Sequence, residues 1–265
     1  MNGEPRWALD GRLLPVAFKL ELLLQLERSQ VIPFLASLPA GAAGETLPPP
    51  LAPIENTQEV WASGVTYLRS RDARTSESQV ADVYERVYEA ARPELFFKAL
   101  GWRVVGDGMP VRHRRDSDWN VPEPELCLVL NSRTEITGYC VGNDMSSRSI
   151  EGENPLYLPQ AKTYNGSCAL GPGIQLVTED PSELPITLTI TRGREAVFEG
   201  QVSTSQIKRP LTDLTEHLAR ELDFPGGVFL MTGTGIVPPE HFSLEPGDSV
   251  EITVGSLTLT NTVTS

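Results

Sequence analysis

From residue 121 to its end the chain is written as strands joined two by two, and this limits the possible folds more than any other feature. LCLVL (126–130) and EITGYCVGND (135–144) flank the polar stretch NSRT, which predicts a hairpin. ITLTITRGREAVFEGQVS predicts a second hairpin turning at RGRE, and SVEITVGSLTLTNTV a third turning at GS. TDLTEHLARELDF, opened by a Thr or Asp N-cap, reads as a single helix between them. Strands and helices do not alternate regularly, so a parallel Rossmann sheet is excluded and the class is α+β with a β-rich body.

Upstream the pattern changes. Residues 13–38 have helical periodicity, with Leu20, Leu23, Leu24 and Leu26 on one broad face and Pro33 interrupting or ending the helix. SLPAGAAGETLPPPLAP then reads as a linker, which sets a boundary between an N-terminal unit (1–53) and a main domain (54–265). EVWASGVTYL (59–68) predicts a strand running into a polar turn, and SQVADVYERVYEAARPELFFKAL has helical spacing through Val80, Val83, Tyr84 and Val87, broken at Pro93.

Charge narrows the partners. With 22 basic and 35 acidic residues the net charge is -13, a field that repels phosphate backbones and excludes nucleic acid as a partner. Apolar runs such as LELLL fall far short of the roughly 20 residues a membrane span needs. MNGEPRWALDGR lacks the apolar core of a secretory signal, and Cys127, Cys140 and Cys168 match neither a disulfide framework nor a zinc spacing. A cytoplasmic protein with buried cysteines is the expectation.

The stretch VPEPE (121–125) stands immediately before LCLVL. Side chains alternate along an extended chain, so Glu123 and Glu125 share a side and repel unless a cation compensates them or one holds a proton. Asp144 closes the next strand, and the hairpin returns it toward the pair. The spacing is compatible with a hard divalent cation held by three oxygens, and equally with a solvated acidic rim. Lys162 lies in a proline-rich segment, and RSRDAR (69–74) forms a basic cluster suited to an anionic substrate or to a solvated turn. The glycines of GTGIV and GPGI serve tight turns or supply backbone donors near a ligand.

Together, EPELCLVL, GYCVGNDMSSRS, the Lys162 segment, CALGPGI and MTGTGIVPP resemble the fumarylacetoacetate hydrolase superfamily over residues 54–265. That resemblance implies a mixed β-sandwich roll with a small N-terminal α/β unit. It also implies magnesium, with manganese or calcium as substitutes, on Glu123, Glu125 and Asp144. Substrate binding by Lys162, Arg148 and Thr234, with Lys98 as a further lysine, is implied in the same way, as is a homodimer or homotetramer. Hydrolytic members carry G-L-N-Y-x-x-H; here the stretch is GVTYLRSRDAR, without histidine. GVTYLRSRDAR, RPELFFKA, WNVPEPEL and NDMSSRSIEGENPLYLPQAKTYNGSCALGP instead resemble the subgroup of 2-keto-3-deoxy-D-arabinonate dehydratases and related sugar-acid enzymes.

The implied activity is dehydration of a 2-keto-3-deoxy sugar acid through an enolate. Glu94, between Pro93 and an apolar run, is the expected base or acid, because partial burial raises a carboxyl toward working pH; a helix-terminal surface carboxylate is the other reading. Lys162 is expected to act as a cation on the carboxylate or enolate oxygen, and Arg69 and Arg71 to reach the distal hydroxyls or the carboxylate. An acylpyruvate hydrolase or oxaloacetate-type decarboxylase, with His113 or His241 substituting for the missing histidine, is one alternative. A non-catalytic sugar-acid binding protein is the other.

Overall fold

The computed structural model describes residues 5–39, 41, 47–77 and 81–265, and two large sheets dominate it. The first has six strands in the order β10 (Cys168–Leu176), β8 (Ile136–Asp144), β7 (Pro124–Leu130), β13 (Val228–Met231), β3 (Glu59–Gly64) and β4 (Glu94–Leu100). All its neighbours are antiparallel except β13 and β3. The second has five: β12 (Glu195–Ser203), β11 (Pro185–Arg192), β14 (Ser249–Val254), β15 (Leu257–Thr264) and β5 (Val111–Arg112). Two short pairs complete the set, β1 (Ala8–Leu9) with β2 (Arg12–Leu13) and β6 (Asn120–Val121) with β9 (Ser146–Ser147).

The run LCLVL is continuously apolar because β7 is covered on both faces. Leu126, Leu128 and Leu130 point between the sheets toward Ile186, Leu188 and Ile252. Cys127 and Val129 point the other way, into a cluster with Leu20, Leu23, Leu24, Val31 and Leu35 from the N-terminal segment. The N-terminal residues therefore cover the back of the six-stranded sheet. Cys127, Cys140 and Cys168 are free and buried, as expected of small core residues.

All three predicted hairpins form: β7–β8 in register Cys127↔Cys140, β11–β12 turning at Gly193, and β14–β15 turning at Gly255. The helices depart from expectation. Residues 13–38 hold two helices, α1 (Leu20–Leu23) and α2 (Arg28–Ser37), and Pro33 lies inside α2 instead of ending it. The break falls where the β7–β8 turn takes backbone acceptors: Ser132 N donates to Leu24 O at 2.7 Å and Asn131 Nδ2 to Leu26 O at 2.8 Å. Glu27 and Gln30 then restart the helix with a reciprocal capping box.

The RSRDAR cluster is no solvated turn; it lies in α3 (Leu68–Glu77). The next helix, α4 (Ala81–Glu89), ends before Pro93 as expected, although Val80 falls outside the described residues, as do residues 1–4, 40 and 42–46 of the N-terminal stretch and linker. Helices α5 (Arg148–Glu153) and α6 (Leu158–Lys162) give the Lys162 segment more regular structure than its prolines promised. The late helix α7 covers only Leu211–Leu218, with Pro210 at the N-cap and no side-chain cap.

Candidate active site

The β7–β8 hairpin builds the site. Asp144 N donates to Glu123 O at 3.0 Å, so the end of β8 is tied to the residue preceding β7. Glu123, Glu125 and Asp144, all buried, each offer an oxygen within 4.8 Å of the others. Period-two alternation explains why Glu125 faces the same way as Cys127 and Val129, and Asp144 the same way as Cys140. The acidic-rim reading fails, because these carboxylates are not solvated.

Cations surround two of the three carboxylates. Arg74 Nη2 donates to Glu123 Oε1 at 2.6 Å, and Lys162 Nζ reaches Glu123 Oε2 at 2.9 Å and Asp144 Oδ2 at 3.0 Å. Arg148 Nη2 lies 3.3 Å from Glu123 Oε1, and Lys98 Nζ 2.5 Å from Asp144 Oδ1. Ser146 Oγ donates to Glu123 Oε1 at 3.0 Å and accepts from Lys162 Nζ at 2.7 Å. Burial alone raises the Glu123 carboxyl, but Lys162 and Arg74 outweigh it and bring it down to about 2. Burial likewise works against charge on Lys162, and Asp144 and Glu123 overcome it, so the ammonium is held charged.

Glu125 is different. Its Oε2 accepts a backbone hydrogen bond from Gly233 N at 2.6 Å, and no ion pair reaches it among the described residues. Burial first, then the charges of Asp144 and Glu123, hold it well above the usual carboxylate range. A buried carboxyl with only one backbone donor, beside two carboxylates paired to cations, completes the donor set of a hard divalent cation: three carboxylate oxygens within 4.8 Å of one another. Gly233 is required here, since its φ is +90° and an added Cβ would stand 2.1 Å from Thr66 Oγ1. The GTG glycine thus serves as a backbone donor.

Glu123, Asp144, Lys162, Arg74 and Gly233 open on one pocket, which Glu94, Phe96, Glu151, Ser70 and Thr234 also line; Glu125 stands behind that lining, within reach of Glu123 and Asp144. Glu94 sits on β4, a strand and not a helix end, and is half-buried. Burial first, and then the Glu151 charge, push its carboxyl up to about 7 against the opposing Arg74 and Lys162. Thr234 closes a tight turn, accepting from Ile236 N at 3.2 Å.

Other expected residues are placed elsewhere. Arg69 is exposed, and Arg71 is paired with Asp72 at 2.6 Å and stacked on Tyr88, so neither lines the pocket. Lys98 is fully buried beneath Asp144, donating to Met145 O at 3.0 Å and to Lys162 O, and Arg148 is buried against Glu123; both brace acidic residues from outside the pocket lining. His113 contacts Arg114 O, His217 lies on α7 against Asp213, and His241 is exposed; no histidine lines the pocket.

Sequence reading did not single out Ser70 and Arg74 within RSRDAR and assigned no role to Glu151 or Ser146. The signal for two of them was present: Tyr67, Ser70 and Arg74 are spaced i, i+3 and i+7, one face of a helix, and all three are buried. Arg74 Nε also pairs with Glu151 Oε1 at 3.0 Å, so one guanidinium joins Glu123 to α5.

The model of the fumarylacetoacetate (FAA) hydrolase C-terminal family matches residues 59–264. The chain is 47% identical over 213 residues to a probable 2-keto-3-deoxyxylonate dehydratase of Haloferax volcanii, covering 79% of this chain and 73% of that protein. It is 46% identical over 208 residues to the 2-dehydro-3-deoxy-D-arabinonate dehydratase of Saccharolobus solfataricus, covering 75% of this chain and 69% of that one. A solved structure of 2-keto-3-deoxy-D-arabinonate dehydratase complexed with magnesium and 2,5-dioxopentanoate superposes with a TM-score of 0.80 at 33% identity, covering 97% of this chain and 93% of that one.

Proposed function

Because the chain belongs to the fumarylacetoacetate hydrolase family, we propose that it is a magnesium-dependent dehydratase of a 2-keto-3-deoxy sugar acid. The substrate best supported is 2-keto-3-deoxy-D-arabinonate and the product 2-oxoglutarate semialdehyde (2,5-dioxopentanoate), the compound held by the magnesium-containing relative. The observation that carries this reading is the convergence of Glu123, Asp144, Lys162 and Glu94 on one pocket that no histidine lines, with Glu125 completing the acidic set beside it.

Glu123, Glu125 and Asp144 would hold magnesium, or manganese or calcium in its place. When bound, the ion supplies Lewis-acid polarisation of the substrate's 2-keto group, which lowers the cost of removing a C3 proton. Glu94, poised near neutrality, takes that proton and returns it to the C4 oxygen as water leaves. Lys162 remains an ammonium and offsets the negative charge of the substrate carboxylate or of the oxygen that gains charge at C2. Thr234 stands at the pocket wall to hold the carboxylate. An imine on Lys162 is disfavoured by its two carboxylate partners.

Hydrolysis of acylpyruvates is the weaker reading, since water activation needs a base where Ser70 stands. Residues 54–265 carry the chemistry in this reading, and Leu14, Leu20, Leu23, Leu24, Val31 and Leu35 of the N-terminal unit brace the back of the sheet. The assembly is a homodimer or homotetramer in the cytoplasm; among the described residues no helix is long and apolar enough to cross a membrane.

The test is a panel of pentose- and hexose-derived 2-keto-3-deoxy acids and acylpyruvates, incubated with magnesium and analysed for products. Semialdehyde is expected from a 2-keto-3-deoxy acid, abolished by chelator, restored by magnesium, and accompanied by no borohydride-trapped adduct. Pyruvate as the product, or trapping at Lys162, would overturn the reading.

A further inference from the structure

Loss of the C3 proton and the C4 hydroxyl does not by itself yield a semialdehyde. A 4,5-dihydroxy-2-keto acid that loses water across C3 and C4 becomes a 5-hydroxy-3-ene, still an alcohol at C5. Reaching the aldehyde requires a C–H bond at C5 to break. The site must therefore accept a second carbon-bound proton, two carbons beyond the first.

We propose that Glu151 is a second catalytic carboxylate, the base that removes the C5 proton of the dehydrated intermediate; this rests on the dehydratase reading above. Glu151 is the fourth residue of α5 (Arg148–Glu153), whose N-cap is the Ser147 side chain. It is buried, only 4% exposed, and lines the same pocket as Glu94. Its Oε1 is fixed by Arg74 Nε at 3.0 Å. Its Oε2 has no hydrogen-bond partner among the described residues, and Arg148 Nη1 stands 4.0 Å away. An acceptor oxygen buried beside a pocket without a donor is costly unless a ligand or a reaction uses it.

Position supports the same role. Arg74 bridges Glu123 and Glu151, so one rigid guanidinium sets the spacing between the end of the pocket holding the acidic set and the carboxylate of α5. The Glu151 charge is also, after burial, the strongest influence raising the Glu94 carboxyl, as expected of two acids facing one cavity. With magnesium held by Glu123, Glu125 and Asp144, a substrate whose carboxylate and ketone were bound there and by Lys162 would direct its far carbons away from them.

The step balances without an oxidant. The C5–H bond breaks and its proton goes to Glu151, while the electron pair moves through C4 and C3 onto the ketone oxygen. Glu94, which gave its first proton to the departing water, takes another from solvent and passes it to C3, leaving an enol at C4–C5. Glu151 returns its proton to C4 as the enol O–H proton passes to solvent, and the C5 carbonyl forms.

The experiment follows both steps in one reaction with magnesium and 2-keto-3-deoxy-D-arabinonate: near-ultraviolet absorbance for the conjugated 5-hydroxy-3-ene, and hydrazine trapping for the semialdehyde. Glu151→Gln is expected to slow semialdehyde formation by about 100-fold or more, the scale of a lost general base. The unsaturated acid should accumulate, because elimination is slowed far less. Glu151→Asp should recover part of the second step and show a larger isotope effect with C5-dideuterated substrate than the unaltered enzyme. Semialdehyde at the unaltered rate in Glu151→Gln overturns the proposal. So does equal loss of both steps in Glu151→Asp with no unsaturated acid and no C5 isotope effect. If the unaltered enzyme releases no water from any 2-keto-3-deoxy acid, the dehydratase reading itself has failed, a result recognisable before any variant is compared.

Discussion

The middle of the β7–β8 hairpin and its open end are equally buried, yet they are held together by opposite means. Leu126, Leu128 and Leu130 are fully covered by other apolar side chains, and this burial drives folding. Glu123, Glu125 and Asp144 are covered almost as completely, but there the carboxylates lose water, which paired charges replace at Glu123 and Asp144. Within the charged end the difference repeats on a smaller scale, since Glu123 is held ionised by cations while Glu125 is left with one backbone donor. The apolar middle supplies the stability that lets the end carry an unbalanced charge, and that imbalance is what a cation would relieve.

Removing the charged end should give the largest effect. Glu123→Ala or Asp144→Ala leaves Lys162 with one carboxylate partner instead of two and removes one expected magnesium ligand. Activity should fall by about a thousandfold or more, and calorimetric titration should show no magnesium binding; a fully active variant would refute the assignment. Glu94→Gln comes next, with a loss of about 10²–10⁴-fold in turnover and unchanged magnesium affinity. The Glu94 carboxyl lies at about 7, and the base must be deprotonated, so kcat/KM should rise with pH up to roughly neutrality and level off above it. Glu94→Gln should flatten that limb; a limb that persists would belong to another group.

Cutting the apolar middle should give the converse result. Leu128→Ala should destabilise the fold by about 2–5 kcal/mol, read by denaturant unfolding, while the folded fraction keeps its magnesium affinity. If magnesium affinity fell with stability, the two regions would not be separable.

That division was legible in the sequence because both halves obey period two: the run LCLVL needs cover on two faces, and VPEPE continues one of those faces into charge. Helix α3 was legible only in the spacing of Tyr67, Ser70 and Arg74. Its inner face is Ser70 and Arg74, so no apolar stripe marks it, and its burial depends on partners on α5 and before β7. The gap between α1 and α2 was hidden for a related reason, since the groups that take the carbonyls of Leu24 and Leu26 come from a turn more than a hundred residues later. ELFFKAL carries a helix-like composition and became a strand because β3 offers it an edge, pairing Trp61 with Phe97 and Gly64 with Glu94. The Glu94 side chain owes its place to that edge.

The smallest effects should mark where the charged end stops. Arg69, Arg71 and Arg74 share one basic cluster in sequence, but α3 turns only Arg74 toward the pocket. Arg71 is half-exposed and paired with its neighbour Asp72, a surface arrangement that solvent screens. Arg69→Ala and Arg71→Ala should therefore leave kcat/KM within about threefold of the unaltered enzyme, while Arg74→Ala, which strips a guanidinium from both Glu123 and Glu151, should lower it by about a hundredfold. A large rise in KM for Arg69→Ala or Arg71→Ala alone would show that α3 rotates to bring its outer face over the substrate, and the boundary drawn between site and surface along this helix would have to move.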